Sequence, residues 1–142
     1  MKPKLIIVCI IATISICLFA CSPSPKQVSL EVSCDDFGKE QNITRQVEVS
    51  AGDSLMVTLC SNATTGYQWS ETAVIGDNTV VQQTSHKFEA PAESDLVGAP
   101  GKEVWTFNAL KKGTSIISMV YSQPWEGGEE ASWTFEATVV VK

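Results

Sequence analysis

The chain has 142 residues, ten of them basic and sixteen acidic, for a formal net charge of −6. That balance repels phosphate backbones, which need a basic footprint, so nucleic acid is excluded as a partner. The single histidine, His86, gives no zinc-ligand spacing, and a pairing with Cys34 or Cys60 is disfavoured because both cysteines fall at ends of alternating segments; no catalytic residue, metal or cofactor is expected.

In chain order, Lys2 and Lys4 form a short positive segment ahead of the apolar run Leu5 to Ala20, broken only by Thr13 and Ser15. The run is shorter than the roughly 20 residues a spanning helix needs and has the layout of a secretory signal. Its end, Leu18-Phe19-Ala20-Cys21, resembles the bacterial lipobox, which implies removal of residues 1–20 and lipidation of Cys21. Ser22 to Pro25 reads Ser-Pro-Ser-Pro, so residues 21–26 are an extended tether to a domain over 27–142. The expectation is an exported chain, at the cell surface or in the periplasm, that meets the membrane only through its N-terminal lipid. Loss of Lys2 and Lys4 leaves eight basic residues against sixteen acids, a charge of −8. In that setting the Asn-X-Thr patterns at Asn42 and Asn62 are idle as glycosylation acceptors.

Past the tether, no segment holds a helical period for long, and several hold a period of two. Val28 to Cys34 places Val28, Leu30, Val32 and Cys34 on one side; Ile43 to Val49 is a second strand after the turn Asp35 to Gly38. Ala51-Gly52-Asp53 turns the chain into Ser54 to Cys60, with Leu55, Val57 and Leu59 aligned. Tyr67 to Ala73 and Val80 to Ala90 are less regular strands. Lys102 to Leu110 aligns Trp105, Phe107 and Ala109; Ser115 to Tyr121 aligns Ile117, Met119 and Tyr121; Ala131 to Val141 aligns Trp133, Phe135, Ala137, Val139 and Val141. About eight strands at this spacing predict an all-β antiparallel sandwich of the immunoglobulin-like kind.

Removal of the leader and lipidation of Cys21 leave Cys34 and Cys60. An even pair in an oxidising compartment favours a disulfide over two buried thiols on neighbouring strands. Three joins stand out as loops: Asn62 to Gly66, Glu93 to Gly101, and Ser122 to Gly128, the last rich in Pro, Gly and Trp. Loops with such residues on a rigid sandwich are where binding resides. Pro124 fixes φ beside Trp125, which has no strand pattern to bury it and reads as an exposed anchor, whereas Trp69, Trp105 and Trp133 read as core. The acids Glu126, Glu129 and Glu130 read as a solvated edge.

The three loops carry a resemblance. Asn62-Ala63-Thr64-Thr65-Gly66-Tyr67 resembles the Asn-Pro-Thr-Thr-Gly-Tyr/Phe loop of the chagasin family of cysteine protease inhibitors, with Ala63 in place of proline. Val97-Gly98-Ala99-Pro100-Gly101 before Trp105 and Phe107 is similar to that family's Gly-rich loop, and Gln123-Pro124-Trp125 to its Arg-Pro-Trp loop, with Gln123 in place of arginine. The likeness keeps the family's order over roughly Val28 to Val141.

The resemblance implies a monomeric, reversible inhibitor whose partner is a papain-like cysteine protease. Thr64, Thr65 and Gly66, framed by Asn62 and Tyr67, would cover the catalytic pair. Leu96, Val97, Gly98, Ala99 and Gly101 would run along one side of the cleft, while Gln123, Pro124 and Trp125 stand on the other. The alternative is an immunoglobulin-like surface lipoprotein that binds a carbohydrate or another protein through the same loops.

Overall fold

The structure, a computed structural model, describes residues 24–91 and 98–142. The leader, Cys21 and the residues Leu96 and Val97 lie outside the described residues. Nine strands are present among the described residues: β1 (Gln27–Val32), β2 (Asn42–Val49), β3 (Ser54–Ser61), β4 (Gln68–Trp69), β5 (Val74–Ile75), β6 (Val81–Glu89), β7 (Gly101–Ala109), β8 (Gly113–Ser122) and β9 (Trp133–Val141). They form two facing sheets, one ordered β1-β3-β7-β6 and the other β2-β9-β8-β4, with β5 also paired to β8. The layers enclose Trp69, Trp105, Phe107, Ile117, Met119 and Phe135, each at most 1% exposed. This is the immunoglobulin-like sandwich that the alternation predicts.

The sheets are mixed, however, where a wholly antiparallel arrangement is expected from sequence. β1 runs parallel to β3 and β2 parallel to β9. The reason is a double crossing: the chain leaves β1 for the opposite sheet at β2, then returns to β3, so β1 and β3 point the same way. Side chains alternate with period two in either pairing, and the pattern is blind to the difference.

Two segments depart from the expected strands. The first strand stops at Val32, and Cys34–Phe37 form one helical turn, α1, whose N-cap Ser33 accepts a hydrogen bond from the Asp36 N–H at 3.2 Å. The stretch from Tyr67 to Ala73 pairs as a strand only at Gln68 and Trp69. Beyond it, side chains take over the ladder: Gln83 donates to the Glu71 carbonyl and accepts from the Ala73 N–H, both at 2.8 Å, and the Trp105 indole donates to Glu71 at 3.1 Å. Those backbone groups are thereby satisfied without a neighbouring strand.

Cys34 and Cys60 are bridged, with Cα atoms 4.9 Å apart. The bridge clamps α1 to the end of β3, and α1 in turn carries Phe37 onto Trp133 (ring centroids 5.2 Å), Tyr121 (5.2 Å) and Trp69 (5.9 Å). It therefore closes an aromatic cluster at one pole of the sandwich. Replacing both cysteines by serine should cost about 3.5 kcal/mol from loop entropy over this separation. A urea midpoint unchanged between the double variant and wild type would show that the bridge contributes nothing to stability.

Candidate functional site

The loop after β3 is built by Asn62. Its Oδ1 accepts hydrogen bonds from the Thr64 N–H (3.2 Å) and the Thr64 hydroxyl (2.6 Å), while its carbonyl accepts the Thr65 N–H (3.1 Å) and hydroxyl (2.7 Å). These bonds wind Ala63–Thr65 into a single 3₁₀ turn. Gly66 then ends the turn at φ 80°, the left-handed region that costs an L residue about 1–2 kcal/mol. Both threonines and Ala63 are exposed, so the tip projects.

That tip is joined to the other two loops. The Asn62 Nδ2 donates to the Gly98 carbonyl at 3.1 Å, and Gly98 sits at φ 86°, the left-handed turn of the second loop. On the other side the Trp125 indole lies against Gly66: a Cβ added there would stand 2.4 Å from its ring. Trp125 remains 52% exposed. Inside the third loop Gln123 closes the bend, its N–H donating to the Glu129 carbonyl at 2.8 Å and its Oε1 accepting the Glu129 N–H at 3.3 Å. The residue that stands in place of the family arginine is thus engaged in shaping its own loop.

The base beneath the tip holds two groups of contacts. Tyr121 on β8, buried and stacked on Tyr67 with ring centroids 5.5 Å apart, accepts the Asn62 N–H on its hydroxyl at 2.9 Å. The Tyr67 hydroxyl donates to Glu129 Oε2 at 2.7 Å, and the Ser132 hydroxyl donates to the same oxygen. Hydrogen bonds from Ser132 and then Tyr67 hold the Glu129 carboxyl below its ordinary range, and the bond to Glu129 raises the Tyr67 phenol above its own. Both shifts favour the same pairing, an ionised carboxylate receiving a protonated phenol.

The second group centres on Glu103 of β7, which is 3% exposed. One oxygen accepts the Ser61 hydroxyl (2.7 Å) and the Trp69 N–H (3.0 Å); the other pairs with His86 Nε2 at 2.8 Å. Ser61 and Trp69 flank the first loop on either side, so one buried carboxylate sets the width of its base. Glu103 is absent from the residues singled out by sequence. Its signal is parity: on β7 it shares a face with Trp105 and Phe107, where an acid is out of place unless it is bonded.

Asn62, Thr64, Thr65, Gly66, Tyr67, Gly98, Ala99, Gln123, Pro124 and Trp125 therefore gather at one pole. Gly101 is placed differently from expectation. It is buried as the first residue of β7, opposite Ser61, with the Glu89 carbonyl and the Phe88 ring where a side chain would be, so it anchors the second loop and does not stand on its tip. Trp133 also differs from a fully buried core residue. It is half-buried at the same pole, with its Nε1 enclosed and without a hydrogen-bond partner among the described residues.

A rigid sandwich that joins three loops side by side, with polar tips and one exposed indole, is a loop-presenting binding domain. The chain belongs to the chagasin family of peptidase inhibitors: the family model described as "Chagasin family peptidase inhibitor I42" matches residues 48–139. The chain is 33% identical over 104 residues to Amoebiasin-2 of Entamoeba histolytica, covering 73% of this chain and 81% of that one. To chagasin of Trypanosoma cruzi it is 30% identical over 96 residues, covering 66% and 84%. Among solved structures, the cysteine protease inhibitor EhICP2 from Entamoeba histolytica superposes with a TM-score of 0.64 at 24% identity, over 85% of this chain and all of that one. PbICP-C, solved in complex with falcipain-2, gives 0.59 at 19% identity, over 80% and 98%. The family is one of inhibitors and not of enzymes.

Gly66→Ala should destabilise the domain by about 1–2 kcal/mol, because the new Cβ enters the left-handed region and the indole of Trp125 at once. Urea denaturation reads the first effect and acrylamide quenching of tryptophan fluorescence the second. Unchanged quenching would mean that the indole does not rest on Gly66.

Proposed function

We propose that the domain inhibits papain-like cysteine proteases reversibly and competitively, one copy per enzyme, by entering the active-site cleft with the three joined loops. The observation that carries this reading is the mutual bonding of the loops: Asn62 holds the second loop at Gly98, and Gly66 seats Trp125 of the third. Loops already fixed in one arrangement lose little freedom on docking, so an interface of ordinary size, about 1,200–2,000 Å² in total, is enough for tight binding.

In this reading Thr64, Thr65 and Gly66 lie over the catalytic cysteine and histidine. The 3₁₀ turn of Ala63–Thr65 offers no extended peptide for attack, so the enzyme is blocked without being given a cleavable bond. The second loop, including Leu96 to Ala99, runs along one wall of the cleft through backbone contacts. Pro124 and Trp125 pack on the other, where a half-exposed indole beside a ring-locked proline supplies apolar area at low entropic cost. With the leader removed, eight basic residues against sixteen acidic favour a target surface that is not itself strongly acidic.

The same proposal includes export and lipidation at Cys21, supported by the residues Leu18 to Cys21 and the Ser-Pro tether. The lipid leaves the domain at a membrane with its loops free to meet a protease. Cys21→Ser should release the protein from the membrane fraction into the aqueous fraction on detergent phase separation. An equal partition of the variant and wild type would remove the anchor from the proposal.

Trp125→Ala should raise the inhibition constant against papain about 30-fold, the loss of one interface hot spot of about 2 kcal/mol, with an unchanged urea midpoint. Wild-type titration should abolish papain activity at one equivalent, with competitive kinetics. If the wild-type protein leaves papain fully active, the inhibitor reading falls; if the alanine variant inhibits as well as wild type, Trp125 is no anchor.

A further inference from the structure

Beside the loop pole lies a pocket of about 660 Å³, within the range of roughly 300–1,000 Å³ typical of sites for small ligands. Phe37, Tyr67, Tyr121 and Trp133 line it, and the exposed residues Glu129 and Glu130 complete the lining with acid. Among the described residues no lysine or arginine borders it. Among the described residues no cation pairs with Glu126, Glu129 or Glu130, although the other ion pairs of the domain engage acids elsewhere. Four aromatic rings and two carboxylates without a counter-charge make a site whose complement is a cation on an apolar stem.

We propose that this pocket receives a basic side chain, arginine or lysine, that stands on the rim of the target protease's cleft. The inference deepens the inhibitor reading and rests on it. Asn62 and Thr65, which belong to the first loop, also border the pocket. A protease seated on the loops therefore brings its rim to the mouth of the pocket. Arginine suits the site better than lysine, because its planar guanidinium stacks on an aromatic face while donating to a carboxylate. The pocket then acts as a selector: among proteases with the same catalytic pair, those with a basic residue at this rim bind more tightly.

Glu130 is the group to change, because it is exposed and has no partner among the described residues, whereas Glu129 also holds Tyr67 and Ser132. The full chain is titrated with N-acetyl-arginine amide, and separately with the uncharged citrulline isostere, while the indole N–H resonance of Trp133 is followed by NMR. The arginine probe should bind saturably in the millimolar range and the citrulline probe should not. Glu130→Gln should weaken the arginine probe about two- to fivefold, the scale of one exposed charge pair, and Trp125→Ala should leave probe binding unchanged. In the complex with papain the probe should be excluded.

No saturable shift, or equal shifts with both probes, overturns the pocket assignment while leaving the inhibitor reading intact. Probe binding that persists equally in the papain complex overturns the claim that the protease fills the pocket. Should the chain form no complex with papain, the inhibitor reading fails and this proposal with it, and the arginine titration alone then reports only the chemistry of the pocket.

Discussion

Asn62 uses each of its hydrogen-bonding groups to hold one pole of the molecule together. Its N–H donates to the buried Tyr121 hydroxyl, its carbonyl and Oδ1 take the four donors of Thr64 and Thr65, and its Nδ2 reaches the second loop at Gly98. The side-chain amide carries its acceptor and its donor on separate atoms, so Asn62 takes Thr64 and reaches Gly98 at once. An aspartate would keep the turn and lose the donor to Gly98; an alanine would lose both. The joining of the first loop to the second depends on this one amide.

The rest of the pole is built to keep that amide where it is. Tyr121 is fixed by the aromatic cluster, which is closed by Phe37 on α1, and α1 is tied to β3 through Cys34 and Cys60. Glu103 fixes the spacing of Ser61 and Trp69 from below. The disulfide, the cluster and the buried carboxylate are distant in sequence and act on one short segment. Rigidity of this kind is what an inhibitor needs: a mobile loop would lose entropy on docking and would adapt to the catalytic groups as a substrate does.

The departures from the family's loop residues follow from the same logic. Ala63 replaces a proline within a turn that the hydrogen bonds of Asn62 already define. Gln123 replaces an arginine, and its amide closes the third loop onto Glu129. Among the described residues no cation pairs with the acids of this loop, Glu126, Glu129 and Glu130.

Sequence alone determined the layers and most of the core, because burial on one face of a strand leaves a period-two record that needs no knowledge of partners: Leu55, Val57 and Leu59, or Phe135, Ala137 and Val139, are legible by inspection. It also determined the loop chemistry, since Gly66, Pro124 and Trp125 are unusual locally, whatever surrounds them. Only the tertiary structure decided the parallel pairing of β1 with β3 and of β2 with β9, the breakdown of the strand after Trp69, the role of Glu103, and the seating of Trp125 on Gly66. Each of these is a relation between residues far apart in the chain, set by where two sheets and a disulfide bring them, and a contact across such distances leaves no periodic trace in either of the segments that make it.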